Sequence, residues 1–224
     1  MSRRGLFIAF EGGDGCGKTS QIAHTVNWLS RFATADIIRT REPGGCPSAE
    51  TIRDLVVRGK DDAWTPMTEL LLIAAARSEH VTKLIRPSLE RGAIVVTDRF
   101  VGTTIAYQGY GRGIDLRLIQ QINQAATGGL YPDLTILLDA PPHVGLARST
   151  KRLADQASEE NRFEELDIEF HIRARNGFLQ QAADAPDRHI VIDASQSLEA
   201  MRLQIVERLD EYLSGRADLW PFAA

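Results

Sequence analysis

The chain has 224 residues, 43% hydrophobic and 25% charged, with 26 Lys plus Arg against 30 Asp plus Glu for a formal net charge of −4. That composition suits one soluble domain, excludes intrinsic disorder as the main state, and lacks the basic excess of a general nucleic-acid-coating protein. Two cysteines neither staple a fold nor build a zinc site, and the longest apolar run, residues 70–76, is far short of the roughly 20 residues of a membrane span. A cytoplasmic protein with free thiols and no membrane or nucleic-acid partner is expected.

In chain order, a β-type run over residues 5–10 comes first, too short for the core of a signal peptide. Gly12-Gly13-Asp14-Gly15-Cys16-Gly17-Lys18-Thr19 then matches G-x-x-x-x-G-K-[ST] between this strand and a helix predicted over 18–32. Glycines let successive backbone N–H groups turn inward around phosphates, and the helix N-terminus adds positive potential. In such a loop Lys18 reaches the β- and γ-phosphates and the Thr19 hydroxyl ligates Mg²⁺. Cys16 reads as a small residue tolerated between glycines.

A strand over 36–40, a helix over 48–58 and a long helix over 68–91 follow, then a third strand over 93–97. Asp98 and Arg99 fall at its carboxyl end, where open α/β sheets place their ligands. An acid there can hold Mg²⁺ or its water, and an arginine can clamp a transferring phosphoryl group. Residues 108–113 read as a glycine-rich surface loop. Helices over 116–126, 143–153, 166–183 and 198–213 alternate with strands over 134–139 and 189–193, and residues 154–161 are polar and unpatterned. Alternation of this kind predicts an α/β protein, a five-stranded parallel sheet flanked by helices.

A phosphate loop names a ligand class, not a reaction. A nucleoside monophosphate kinase, a GTPase-type switch and an ATP-driven ligase or motor all carry one. No Asn is followed by Lys, so the guanine-reading Asn-Lys-x-Asp is missing, and the chain is short for a motor. Kinase is the favoured class, with a non-catalytic nucleotide-binding regulator as the alternative from another class.

Thr40-Arg41-Glu42-Pro43-Gly44-Gly45, Ala74-Ala75-Ala76-Arg77, Asp98-Arg99-Phe100, Ala106-Tyr107-Gln108-Gly109 and Tyr131-Pro132-Asp133 narrow the choice. With these elements the sequence resembles the bacterial thymidylate kinases from residue 5 to about residue 213. The resemblance implies a single P-loop kinase domain over 1–224 with a lid at about 149–163, and ATP-dependent phosphorylation of dTMP to dTDP in dTTP synthesis with Mg²⁺. A kinase for dUMP or UMP is the alternative within the class. It implies that Asp14 bonds the deoxyribose 3′-hydroxyl, that Arg53 and Arg99 hold the acceptor phosphate, and that Arg77 reads the thymine edge with Gln108 and Thr104 near the base. Tyr107 would pack where a ribose 2′-hydroxyl would go, Pro43 would be cis, and Arg148 would stack on the ATP adenine. A homodimer packed through helices near the sheet edge is also implied.

The pattern departs in a few places. Ile73 stands where the family commonly has Phe stacked on the base, Thr103 and Thr104 replace a frequent Ser pair, and Cys46 replaces Thr. No Arg lies at positions 13 to 16, so the transferring phosphoryl group is expected to draw a cation from the lid, from Arg152 in preference to Arg162.

Overall fold

The computed structural model describes residues 4–58, 63–156 and 162–215, with the backbone alone in 152–156. Five strands, β1 (Phe7–Glu11), β2 (Ile37–Arg41), β3 (Ile94–Asp98), β4 (Leu134–Asp139) and β5 (His189–Asp193), form one sheet in the order β2-β3-β1-β4-β5. Every pairing is parallel, as nearly continuous apolar strands require when both faces are covered. Alternate side chains of β1 serve the two cores. Leu6, Ile8 and Phe10 pack with Ile22 and Leu29 of α1 (Lys18–Leu29) and with Met201, Ile205 and Leu209 of α9 (Leu198–Ser214). Phe7 and Ala9 face the other way, onto Val81, Ile85, Leu89 and Phe100. Pairing of Phe10 with Asp98 sets the ends of β1 and β3 side by side, so the loop after Glu11 meets the Asp98–Arg99 corner.

The helix expected over 68–91 is interrupted. α3 (Pro66–His80) passes through a π turn at Val81–Ile85 into α4 (Arg86–Glu90). Pro87 has no N–H to give the preceding turn and its ring crowds that turn, which is the usual cause of such a widening. Residues 108–111 are not a surface loop; of the expected stretch only Arg112 and Gly113 lie outside a helix. α5 (Val101–Thr104) continues into a π-helical segment, Ile105–Gly111, largely buried against α8 (Ile168–Asp184). Its glycines serve close packing: a Cβ on Gly109 would lie 2.5 Å from Leu116, and one on Gly111 would lie 2.4 Å from the Phe170 ring.

α2 (Pro47–Val57) and α6 (Leu116–Thr127) flank α3, and α7 (Pro142–Gln156) leaves β4 over the phosphate loop. The α7 contact has no spare room. A Cβ on Gly145 would sit 2.4 Å from the Asp14 carbonyl oxygen, and one on Gly15 would sit 1.9 Å from the Gly145 carbonyl oxygen. Gly145→Ala is therefore expected to push the loop off its position. Loss of about 100-fold in kcat/KM with a folded circular-dichroism spectrum is the expected result, on the scale of a catalytic group misplaced by an ångström. Unchanged kcat/KM would mean that the loop position is not set by α7.

Candidate active site

The loop between β1 and α1 is wound tightly. Gly12, Gly15 and Gly17 have φ of 133°, 70° and 92°, in the region open to glycine. Gly17 is the N-cap of α1 and supplies no side-chain cap, so the first amides of the helix are left for an anion. Lys18 bends back across the loop, its Nζ donating to the carbonyls of Gly12 at 3.0 Å and Gly13 at 2.7 Å. The side chain of Cys16 is buried beneath the loop in the core that holds Ile22, and its Sγ accepts from Lys18 Nζ at 3.5 Å.

At the end of β3, Arg99 is the one non-glycine residue with positive φ among the described residues, at 67°. A left-handed conformation costs a non-glycine residue about 1–2 kcal/mol and marks functional corners more than others. Here it turns the guanidinium back onto the phosphate loop. Arg99 donates to the Gly12 carbonyl at 3.0 Å, to Thr103 Oγ1 at 3.1 Å and to Asp14 Oδ1 at 2.6 Å. Tyr107 donates its hydroxyl to Asp14 Oδ2 at 2.8 Å. Burial pushes the Asp14 carboxyl up, but Arg99 and Lys18 outweigh it and hold it below the usual range, so it stays an acceptor.

Beneath this corner lies Glu11, which accepts from the Phe100 backbone N–H at 2.9 Å and from Thr103 Oγ1 at 2.5 Å. Burial raises its pKa from 4.5 to about 7 against the pull of Thr103 and Arg99. The folded chain thus keeps a proton on Glu11 through a range where the unfolded chain has lost it. Stability falls as pH rises from about 4.5 to about 7. Glu11→Gln is expected to remove this slope. Urea unfolding at pH 5 and pH 8 should show the wild type losing about 2.5 kcal/mol more than the variant across that interval. Equal losses would show Glu11 ionised throughout.

The wall of the site opposite the loop is built on the turn after β2. Glu42–Pro43 is cis, and Gly45 has no room for a side chain, since its Cβ would meet His80 Nε2 at 2.4 Å. Arg53, on α2, donates to the Pro43 carbonyl at 2.9 Å. Arg77 neither snorkels nor faces solvent. It is buried, donating to Glu42 at 2.7 Å, Asn123 at 2.7 Å, Thr104 Oγ1 at 2.9 Å and the Phe100 carbonyl at 3.1 Å. Glu42 also bonds His80, and His80 bonds Thr40, so β2, α3 and the turn after β2 share one buried network. Ile73 lies one turn before Arg77 and packs with Val56, Val57 and Phe163. The ring absent from position 73 has a neighbour in Phe163, which the sequence did not single out.

One cleft of about 1100 Å³ joins these parts. It is lined by Asp14, Gly15, Gly17, Lys18 and Thr19 of the loop and by Asp98 and Arg99. Pro43, Arg53, Ile73, Arg77, Thr104, Tyr107, Gln108 and Arg148 line the same cleft. Gly12, Gly13 and Cys16 lie behind the loop, on a small cavity with His171 and Arg175.

Arg162, the second choice for the lid cation, does not reach the phosphate side: it is fully buried, donating to Glu69 at 2.6 Å and to the Val56 carbonyl at 3.0 Å. Arg148 does line the cleft, with its guanidinium on the carbonyls of Ala194 at 2.7 Å and Ser195 at 3.3 Å. The Arg152 side chain lies outside the described residues, as does much of the expected lid. Glu11, Glu42 and Glu69 are buried acids at or behind the site with no role assigned from sequence; Glu42 lies inside the Arg41-Glu42-Pro43-Gly44-Gly45 element, whereas Glu69 carries no motif signal.

The residues present fit Mg²⁺. Asp98 Oδ1 is buried with no hydrogen-bond partner, and the exposed Thr19 shares the cleft with it. Among the described residues no group of three or more His, Cys, Asp or Glu could hold a metal by itself. One carboxylate, one hydroxyl and substrate phosphates are the donor set Mg²⁺ takes, since it rarely sits in an all-protein cage. Among the described residues no helix is long and apolar enough to cross a membrane.

The cleft exceeds the roughly 300–1,000 Å³ of a single small-ligand pocket, with a phosphate cradle at one side and an arginine-walled apolar pocket at the other. On a parallel sheet with these loops at its carboxyl edge, that defines a P-loop kinase acting on a nucleotide. The chain belongs to the thymidylate kinase family, whose model matches residues 10–205. It is 46% identical over 214 residues to the thymidylate kinase of Cereibacter sphaeroides, covering 96% of this chain and 98% of that one. The thymidylate kinase of Geobacter sulfurreducens is 47% identical over 206 residues, covering 92% and 96%. The crystal structure of thymidylate kinase from Ehrlichia chaffeensis superposes with a TM-score of 0.72 at 35% identity, over 92% of this chain and 99% of that one.

Proposed function

We propose that the chain transfers the γ-phosphoryl group of ATP to dTMP, giving ADP and dTDP, and that it does so through positioning and electrostatics alone. The observation that carries this reading is the single cleft in which the Lys18 loop and the Arg77–Gln108 pocket face each other across Asp14 and Arg99. The nucleophile is an oxygen of the acceptor phosphate, whose second pKa of about 6 leaves it ionised near neutral pH. No strong general base is needed, and none of the cleft carboxylates is assigned one. Arg99 and Arg53 hold the acceptor phosphate, Asp14 takes the deoxyribose 3′-hydroxyl, and Tyr107 closes the space of a 2′-hydroxyl. Arg77, Gln108 and Thr104 meet the base edge while Ile73, backed by Phe163, covers its face. Pro43 shapes the turn that carries Arg53 to the cleft.

On the donor side the amides of the 12–19 loop and Lys18 cradle the ATP phosphates, Arg148 covers the adenine, and Arg152 meets the transferring group. Thr19 and Asp98 would hold Mg²⁺, which would supply neutralisation of the ATP phosphate charge. Water exclusion by the lid would suppress ATP hydrolysis, the competing reaction. A cytoplasmic homodimer without nucleic-acid or membrane partners belongs to the same reading. The exposed Leu71 of α3 is the kind of side chain such a dimer would bury, and light scattering gives the mass directly. ADP release with dTMP, dUMP, UMP and dCMP offered in turn tests the function. Turnover fastest with dTMP is expected; a faster rate with another acceptor, or none with any, would overturn the reading.

A further inference from the structure

Gln108 and Glu69 meet in the wall between the base pocket and the core. Gln108 sits in the π-helical segment and donates Nε2 to Glu69 Oε1 at 2.8 Å, while its Oε1 is buried with no partner. Glu69, in the first turn of α3, is fully buried and held on both oxygens. Arg112 donates to Oε1 at 3.4 Å and to Oε2 at 3.1 Å, and Arg162 donates to Oε2 at 2.6 Å. Two guanidinium groups fix this carboxylate in place through charge-assisted hydrogen bonds. An ionised carboxylate only accepts, so it pairs with the Gln108 amide in one orientation: NH₂ toward Glu69, oxygen away. Flipping the amide would set two acceptors against each other in a buried site and leave the NH₂ unpaired.

We infer that Glu69 is a positioning residue that locks the Gln108 amide with its oxygen presented to the acceptor base, so that the pocket takes a pyrimidine with a hydrogen on N3 and rejects cytosine. Thymine and uracil carry a donor at N3, whereas cytosine carries a lone pair there. A locked acceptor oxygen meets the first favourably and the second with two unpaired acceptors, the kind of mismatch that discriminates strongly. The inference rests on the reading that Gln108 contacts the base, and it adds the reason that contact has a fixed polarity.

Glu69→Gln supplies a side chain able to donate as well as accept, which frees the Gln108 amide to turn. The ratio of kcat/KM for dTMP over dCMP should fall by about tenfold or more through the nucleotide KM, with KM for ATP nearly unchanged. Calorimetry of each monophosphate without ATP should show the same loss of discrimination. In a Gln108→Leu background, Glu69→Gln should then change the ratio no further. Parallel losses for both monophosphates, or an unchanged ratio, would overturn the inference. If Gln108→Leu alone leaves the ratio unchanged, the contact between Gln108 and the base is what fails. Glu69→Asp keeps the charge that Arg112 and Arg162 need while withdrawing from Gln108, and it should act in the same direction if Glu69→Gln does not fold. In the wild-type protein, NMR of the Gln108 side-chain amide supplies a check without any substitution at Glu69. Its NH₂ protons should shift little when dTMP binds, and a close contact between them and the base would sink the proposal.

Discussion

Lys18→Ala is expected to lower kcat by at least about 10³-fold while leaving the fold intact, the upper range for removing one preorganised group from a transition state. Without ligand, Nζ is held by the Gly12 and Gly13 carbonyls, across the mouth of the loop where phosphates enter. Those bonds keep the cation within reach of the site at little cost, because two loop carbonyls release it when phosphate oxygens arrive. Removing it leaves the loop backbone supported by Arg99 on the Gly12 carbonyl and by the Gly145 contact under Gly15. The melting temperature should therefore move by only a few degrees, as for a loss of about 1 kcal/mol. Single-turnover transfer measured at saturating ATP is the decisive observation. Near-normal turnover would remove the loop from the mechanism.

Much of the scaffold could be read along the chain. Parallel strands buried on both faces appear as apolar runs, and all five fall within two residues of their observed bounds. The phosphate loop was legible for the same local reason, since its glycines, lysine and threonine are consecutive. What stayed hidden is long-range. Residues 108–113 look like a loop because glycine ordinarily breaks helices, yet Gly109 and Gly111 are there to let Leu116 and Phe170 approach. Arg77 could be read as a core helix residue with a solvated tip, because Glu42 and Asn123, which bury it, lie 35 and 46 positions away. Glu69 gave no signal at all: its partners Gln108, Arg112 and Arg162 come from two other segments of the chain. Side-chain networks of this kind have no period, so no pattern in the sequence marks them.

A phosphate loop without arginine must borrow a cation, and Arg162 is not placed to give it. Of the basic residues flanking the 154–161 stretch, Arg162 is committed to Glu69 and Val56, fully buried, and Arg148 rests on the Ala194 and Ser195 carbonyls. Arg152, one turn beyond Arg148 on α7, is then the favoured lid donor to the transferring phosphoryl group. Arg152→Ala should lower kcat by about 10³-fold, the scale of a lost arginine finger, with dTMP binding and melting temperature nearly unchanged. Arg162→Ala should behave in the opposite way. It leaves the buried Glu69 with one cation fewer, so the expected cost is in stability, about 3–5 kcal/mol as for a broken buried pair, rather than the small cost of a surface charge. In whatever fraction remains folded, the chemical step should be close to normal. Single-turnover kinetics and urea unfolding on both variants separate the two roles. A slow chemical step in Arg162→Ala with full stability would put Arg162 back in the reaction. A normal step in Arg152→Ala would leave the transition-state charge to Lys18, Arg99 and Mg²⁺.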